Sequence, residues 1–203
     1  MKKIDVIFAA IIGEITAWYF MSLLQEKGLV EKLGGLSSFL WVMLIIFPIL
    51  SALCLWIAYL IGKKFLFVFQ LAKFLLVGVL ATIFDLGSLS IFIGIFGITS
   101  GLSYDIFKGI SFIIATIGKY IPDKFWAFKK QETTGMGKEF SQFFIVTLIG
   151  FVINVLIADI IVNRIGPQFG LPPKLWAQLG AMGAVVVVFA WNFVGYKFIV
   201  FKK

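Results

Sequence analysis

Six stretches of the chain run nearly free of charge for the length of a bilayer crossing: about Val6 to Leu24, Phe39 to Ile61, Phe74 to Phe96, Ile106 to Trp126, Phe143 to Val162 and Leu175 to Val200. The hydrocarbon core of a bilayer is about 30 Å thick and takes about 20 helical residues to cross. None of the six shows the short alternation of a barrel strand, and a backbone in lipid must satisfy its own hydrogen bonds, so each is predicted as an α-helix. Pro48 lies inside the second run and predicts a kink there. The stretch from Lys129 to Lys138, with Gln131, Glu132, Thr133, Thr134, Gly135 and Gly137, is the one that reads as a linker, and it divides the last four runs into two pairs. The expected fold is an all-α membrane protein with six transmembrane helices arranged as helical hairpins.

Composition agrees: 61% of the residues are hydrophobic and 14% charged, beyond the range of a soluble domain. The net charge of +8 is spread over the ends of the apolar runs and forms no basic domain, which argues for membrane anchoring and against a nucleic-acid partner. Lys2 and Lys3, then Lys63, Lys64 and Lys73, then Lys124, Lys129, Lys130 and Lys138, and finally Lys197, Lys202 and Lys203 fall on alternate connections. On the other connections Glu26 and Glu31 balance Lys27 and Lys32, Asp105 balances Lys108, and Arg164 and Lys174 stand unbalanced. By the positive-inside rule both termini are expected in the cytoplasm, with the chain in the cytoplasmic membrane. The first run reaches Leu24, carries Glu14 and lacks a small-residue cleavage site, so it is expected to be retained as a span. With no histidine and one cysteine, Cys54, neither a metal site, a cofactor nor a catalytic role is expected.

The chain repeats itself. Gln70 to Gly78, leading to Asp85, lies over Glu139 to Thr147, leading to Asn154, and Lys119 to Lys130 lies over Asn192 to Lys203. Each unit holds two spans and enters from the same side, so the repeat is expected to be parallel, about an axis near the membrane normal. The implied organisation is an N-terminal two-helix extension over residues 1–69 and a four-helix domain over 70–203, with halves 70–130 and 139–203. A weaker third copy is readable in the extension: Tyr59, Lys63 and Phe67 repeat the spacing of Tyr120, Lys124, Phe128 and of Phe193, Lys197, Phe201. Basic and aromatic residues also gather at any cytoplasmic helix end, which is the plainer reading.

On Phe74, Val77, Gly78, Thr82 and Asp85, and on the helix ending Asn192-Phe193 through Tyr196-Lys197 to Val200-Phe201, residues from about Gln70 to Lys203 resemble the GtrA-like family of small membrane proteins. The first ending departs from the family pattern, with Lys119 in place of the usual asparagine and Asp123 where a second asparagine is common. The resemblance implies translocation of a polyprenyl-phosphate-linked monosaccharide to the outer leaflet, for glycosylation of a cell-surface polysaccharide. The partners it implies are that lipid-linked sugar and the membrane, with a membrane glycosyltransferase and a second copy of the chain as further candidates.

Glu14, Asp85, Asn154 and Asp159 interrupt apolar runs, where an ionisable or amide group needs a partner, a cavity or water. Gly78, Thr82 and Asp85 share one helix face, and Thr147, Gly150, Asn154 and Ala158 share another; either face serves helix packing or a headgroup. Gly180 and Ala184, with Ala177 and Ala181, read as packing pairs near Gln178. Lys124 and Lys197 sit beside aromatic rings at matched places, and are either snorkelling anchors or ligands for the lipid phosphate, with Lys73 and Lys119 as second candidates. A groove lined by Asp85, Asn154, Lys119 and Asn192 would hydrogen-bond the headgroup, and Glu14 is the candidate proton-linked carboxyl. Two rivals carry other predictions: a membrane anchor that recruits a polyprenyl-phosphate glycosyltransferase through the Lys124 to Glu139 connection, and a small-solute or cation exporter built on Glu14 and Asp85.

The lysine asymmetry makes a topological prediction. Single cysteines placed at Gly34, Gly101 and Gln168 are expected to react with an impermeant thiol reagent in intact cells, and one at Gln131 is not; labelling at 131 contradicts the six-span reading.

Overall fold

The computed structural model describes residues 1–26, 37–97, 101–170 and 173–202, and the regular structure there is helical. Six long helices occupy the six apolar runs: α1 (Lys3–Glu26), α2 (Ser37–Gly62), α3 (Leu66–Phe96), α4 (Gly101–Pro122), α5 (Met136–Asp159) and α6 (Pro173–Gly195). Among the described residues, α1, α2, α3, α5 and α6 are each long and apolar enough to cross a bilayer, the last through residues Gly183–Val200, so the chain is a multi-pass membrane protein. The 22 residues of α4 would extend about 33 Å. It carries Asp105, Lys108 and Lys119, and among the described residues it is not one of the five helices apolar enough to cross.

The chain forms two compact units, Met1–Lys129 and Lys130–Lys203. In the first, α1 packs on α2 and α3, and α3 packs on α4. The extension is thus part of the same body as the helices that follow it. Its core joins Ala9 and Ile12 of α1, Leu55 of α2, Phe69 and Val77 of α3, and Trp126. In lipid, apolar burial gives helices little reason to associate, so close backbone approach and cross-helix hydrogen bonds must supply it. The α1–α2 seam shows both. A Cβ on Gly13 would lie 2.6 Å from Phe47 O and 2.7 Å from Pro48 Cα, so this position has room for no side chain. One turn away, the Ser51 hydroxyl lies 2.7 Å from Ala9 O and 3.0 Å from Pro48 O, linking α1 to the backbone beside the proline.

The second unit packs α5 on α6. Phe143 and Val146 of α5 and Ala184 of α6 are buried in it, and Trp191 Nε1 donates to Val146 O at 3.0 Å. Arg164, which sequence left unbalanced, lies 3.5 Å from Asp159. The side chains of Ala177, Gln178, Gly180 and Ala181 lie outside the described residues.

Among the described residues three π-helical segments extend the helices, at Asp123–Ala127, Ile160–Ile165 and Tyr196–Val200. Two of these fall at the paired endings read from the sequence.

Candidate functional site

Each paired ending closes with the same backbone bond. The Phe128 N–H donates to Asp123 O at 2.9 Å, and the Phe201 N–H donates to Tyr196 O at 2.7 Å. A π turn carries one residue more than an α turn and is frequently found at functional sites. The extra residue swings Phe128 and Phe201 back onto their own units. Phe74 meets Phe128 with ring centroids 6.0 Å apart, and Phe143 meets Phe201 at 6.0 Å. Phe74 and Phe143 are themselves matched positions in the sequence repeat.

The lysines take matched settings on these turns. Lys124 Nζ lies 6.0 Å from the centroid of the Tyr120 ring and 5.6 Å from that of Phe125. Lys197 Nζ lies 5.6 Å from Phe193 and 5.6 Å from Phe198. Each ammonium is therefore flanked by the ring four residues before it and the ring one residue after it. They differ in access: Lys124 is fully buried, whereas Lys197 is half-buried. The third ending, at Tyr59 and Lys63, shares the lysine beside a ring, at 5.6 Å, but α2 stops at Gly62 in an ordinary turn.

Interior chemistry separates the halves. In the second, Tyr196 stacks on Phe143 at 4.3 Å and its hydroxyl lies 2.6 Å from that of Thr147. In the first, the matched position is Asp123, which lies 3.7 Å from Lys119 and is fully buried. Lys119 Nζ also sits 4.5 Å over the Phe74 ring. Among the described residues neither Asp123 oxygen has a hydrogen-bond partner, and Asn192 Oδ1 is likewise buried without one. A Cβ on Gly150 would lie 2.7 Å from that Asn192 oxygen, so glycine is what lets the amide lie against α5.

The remaining sequence candidates have more local settings. Asp85 of α3 accepts from the Ser111 hydroxyl of α4 at 2.6 Å, a bond that ties two helices together. Glu14 accepts from Trp18 Nε1 at 3.0 Å within α1. Asn154 is half-buried.

Lys73 is where structure adds most. Its ammonium, 1% exposed, is ion-paired with Asp5 of α1. It also lies 3.5 Å from Trp126 O and over the rings of Phe69 and Trp126, at 4.5 and 5.2 Å. The Trp126 Nε1–H donates to the same Asp5 oxygen at 3.0 Å, the Lys2 backbone N–H donates to the other at 2.9 Å, and Phe8 stacks on the indole at 5.2 Å. Sequence reasoning overlooked Asp5 and Trp126. The one signal was an acid in the first turn of an apolar helix, and no local spacing points it to a lysine 68 residues away.

These endings, and the packing of Phe74 and Phe143 beneath them, lie within a region matched by one family. The description GtrA/DPMS, transmembrane domain, fits residues 73–201. The chain belongs to this family. Comparison with curated proteins and with solved structures finds no match. The GtrA-like resemblance of the sequence is thereby shown, and α1 and α2 lie outside the matched residues, although Asp5 reaches Lys73 at the match's first position.

The triad predicts a non-additive stability cycle. Asp5→Asn strands a buried ammonium and is expected to cost about 3–5 kcal/mol, as is Lys73→Met, which strands the carboxylate. The double variant keeps an acceptor for Trp126 and removes both charges, so it is expected to lose less than either single variant. Thermal unfolding of the purified protein in one detergent checks this; additive losses contradict it.

Proposed function

We propose that the protein moves a polyprenyl-phosphate-linked monosaccharide across the cytoplasmic membrane, with six spans and both termini in the cytoplasm, and that it does so without chemical catalysis. Membership of the GtrA/DPMS family over residues 73–201 carries this reading. Its physical task is to bring a phosphate and a polyol through a layer in which each unpaired polar group costs several kcal/mol.

The matched endings supply groups suited to that task. In this reading Lys197, half-buried on a turn that projects its ammonium between two rings, meets the phosphate. A charge-assisted hydrogen bond from an ammonium to a phosphate oxygen contributes about 1.5–3 kcal/mol. Lys124, in the other unit, has the same ring environment but no exposed surface, so it meets a phosphate only when its own turn opens. In this reading the buried acceptors of Asp123 and of Asn192, each within its own unit, take sugar hydroxyls. Asp85 and Asn154 serve helix packing first. Lys73 is taken up by Asp5 and stays out of the path, and Lys119 orients Asp123.

Transport of a labelled polyprenyl-phosphate hexose into liposomes tests the proposal. Lys197→Gln is expected to lower the rate about tenfold, and Lys124→Gln with Lys197→Gln at least as much, from the loss of one or two charge-assisted bonds. Lys138→Gln with Lys202→Gln removes as much charge from exposed positions and is expected to change little. Equal losses in the two pairs, or no transport by the wild type, contradict the proposal.

A further inference from the structure

Beside the Asp5–Lys73 pair, the first unit has an open cavity of about 390 Å³ that the transport reading does not use. Its walls come from the start of α1, the end of α2, the start of α3 and Lys129, two residues past the first π segment. Three lysines line it: Lys2, Lys63 and Lys129. Among the described residues none of the three forms an ion pair. The acid in the wall, Asp5, is 2% exposed and already carries Lys73, Trp126 and the Lys2 backbone N–H, so among the described residues the cavity carries net positive charge.

Two of the ammonium groups are positioned rather than loose. Lys63 Nζ lies 5.6 Å from the Tyr59 ring centroid and Lys129 Nζ 5.8 Å from that of Phe69, both cavity-lining rings. Lys129 reaches this place through a left-handed backbone, φ +55°, which opposes an L side chain by about 1–2 kcal/mol. Lys202, its counterpart in the second ending, does not adopt it. A strained residue that persists is held by its surroundings, and such residues cluster at ligand sites.

We infer that this cavity binds the phosphate headgroup of an anionic membrane lipid, and that it is a site distinct from the one the transported lipid uses. The volume falls within the usual range of small-ligand pockets, about 300–1,000 Å³. The lipid rather than a soluble phosphate is indicated by the apolar rim. Leu66, a lining residue, is 66% exposed; Phe65, next to it in the chain, is 49% exposed, and Ile4, next to the lining residue Asp5, is 46% exposed. They offer acyl chains a surface next to the lysines. The cavity is framed largely by α1 and α2, which lie outside the family match, so the extension supplies the site.

Native mass spectrometry of the purified full-length protein with short-chain phosphatidic acid and phosphatidylcholine reads this directly and involves no transport. Phosphatidic acid is expected to be retained in preference to phosphatidylcholine. Lys63→Gln with Lys129→Gln is expected to weaken its binding roughly tenfold, and Lys63→Arg with Lys129→Arg to keep most of it. Lys3→Gln with Lys138→Gln, equal in charge, is expected to have little effect. Equal weakening in the two Gln pairs overturns the site in favour of a general surface attraction. Displacement of the lipid by millimolar inorganic phosphate overturns the lipid assignment, and retention of the lipid under that phosphate supports it.

Discussion

An ammonium ion enclosed among membrane helices has no water to fall back on, and Lys73 shows what the fold does about it. Desolvating a charge costs several kcal/mol, and only an opposite charge with good hydrogen bonds offsets that. Asp5 supplies the charge, while Trp126 and the Lys2 N–H fill the remaining acceptor sites of the carboxylate. Three elements far apart in sequence must therefore meet at one point: the first turn of α1, the first third of α3 and the π segment after α4. The packing around that point follows from it. Ala9, Ile12 and Leu55 share one core with Trp126, Phe8 stacks on the indole, and Gly13 lets α1 lie directly on α2. A helix pair outside the family match thereby becomes part of the first half's core.

The two halves solve a common problem with different chemistry. Each must fold a helix end back onto its hairpin, and each does so with a π turn and a phenylalanine pair. The second half fills the space beneath the turn with a stacked tyrosine whose hydroxyl meets a threonine. In the first, glycine replaces that threonine at 78 and an aspartate replaces the tyrosine at 123, with Lys119 brought in beside it. An aromatic seal in one half is thus a buried ion pair in the other. In the proposed function, that asymmetry gives one half the firmer scaffold and the other the more polar lining.

Helix positions were legible because runs of about 20 apolar residues leave a chain in lipid no alternative to helix. The lysine and aromatic endings were legible too, because they recur, and the structure gives Lys124 and Lys197 the same ring environment. The π turns were not. An α-helical spacing placed Phe128 and Phe201 four residues along the same face, whereas the inserted residue turns them inward onto Phe74 and Phe143. Burial of Lys124 was equally hidden, since a lysine at a helix end is expected to snorkel. The partner of Lys73 lay beyond reach because pairing across 68 residues is decided by tertiary packing. For the same reason the cavity at Lys2, Lys63 and Lys129 was readable only as three lysine clusters on one predicted side.

In the proposed function charge partners sort the lysines: Lys73 is committed to the fold by Asp5, and Lys197, with no ion pair among the described residues, meets the lipid phosphate. Solid-state 15N–31P recoupling measures it in the protein reconstituted with a polyprenyl-phosphate hexose, with Lys→Arg variants assigning the side-chain nitrogens. The account predicts dephasing of Lys197 Nζ by a phosphorus at about 4 Å, the separation set by a hydrogen bond of ~2.8 Å to a phosphate oxygen, and none at Lys73. Dephasing at Lys73, or its absence at Lys197 while the lipid is bound, contradicts it.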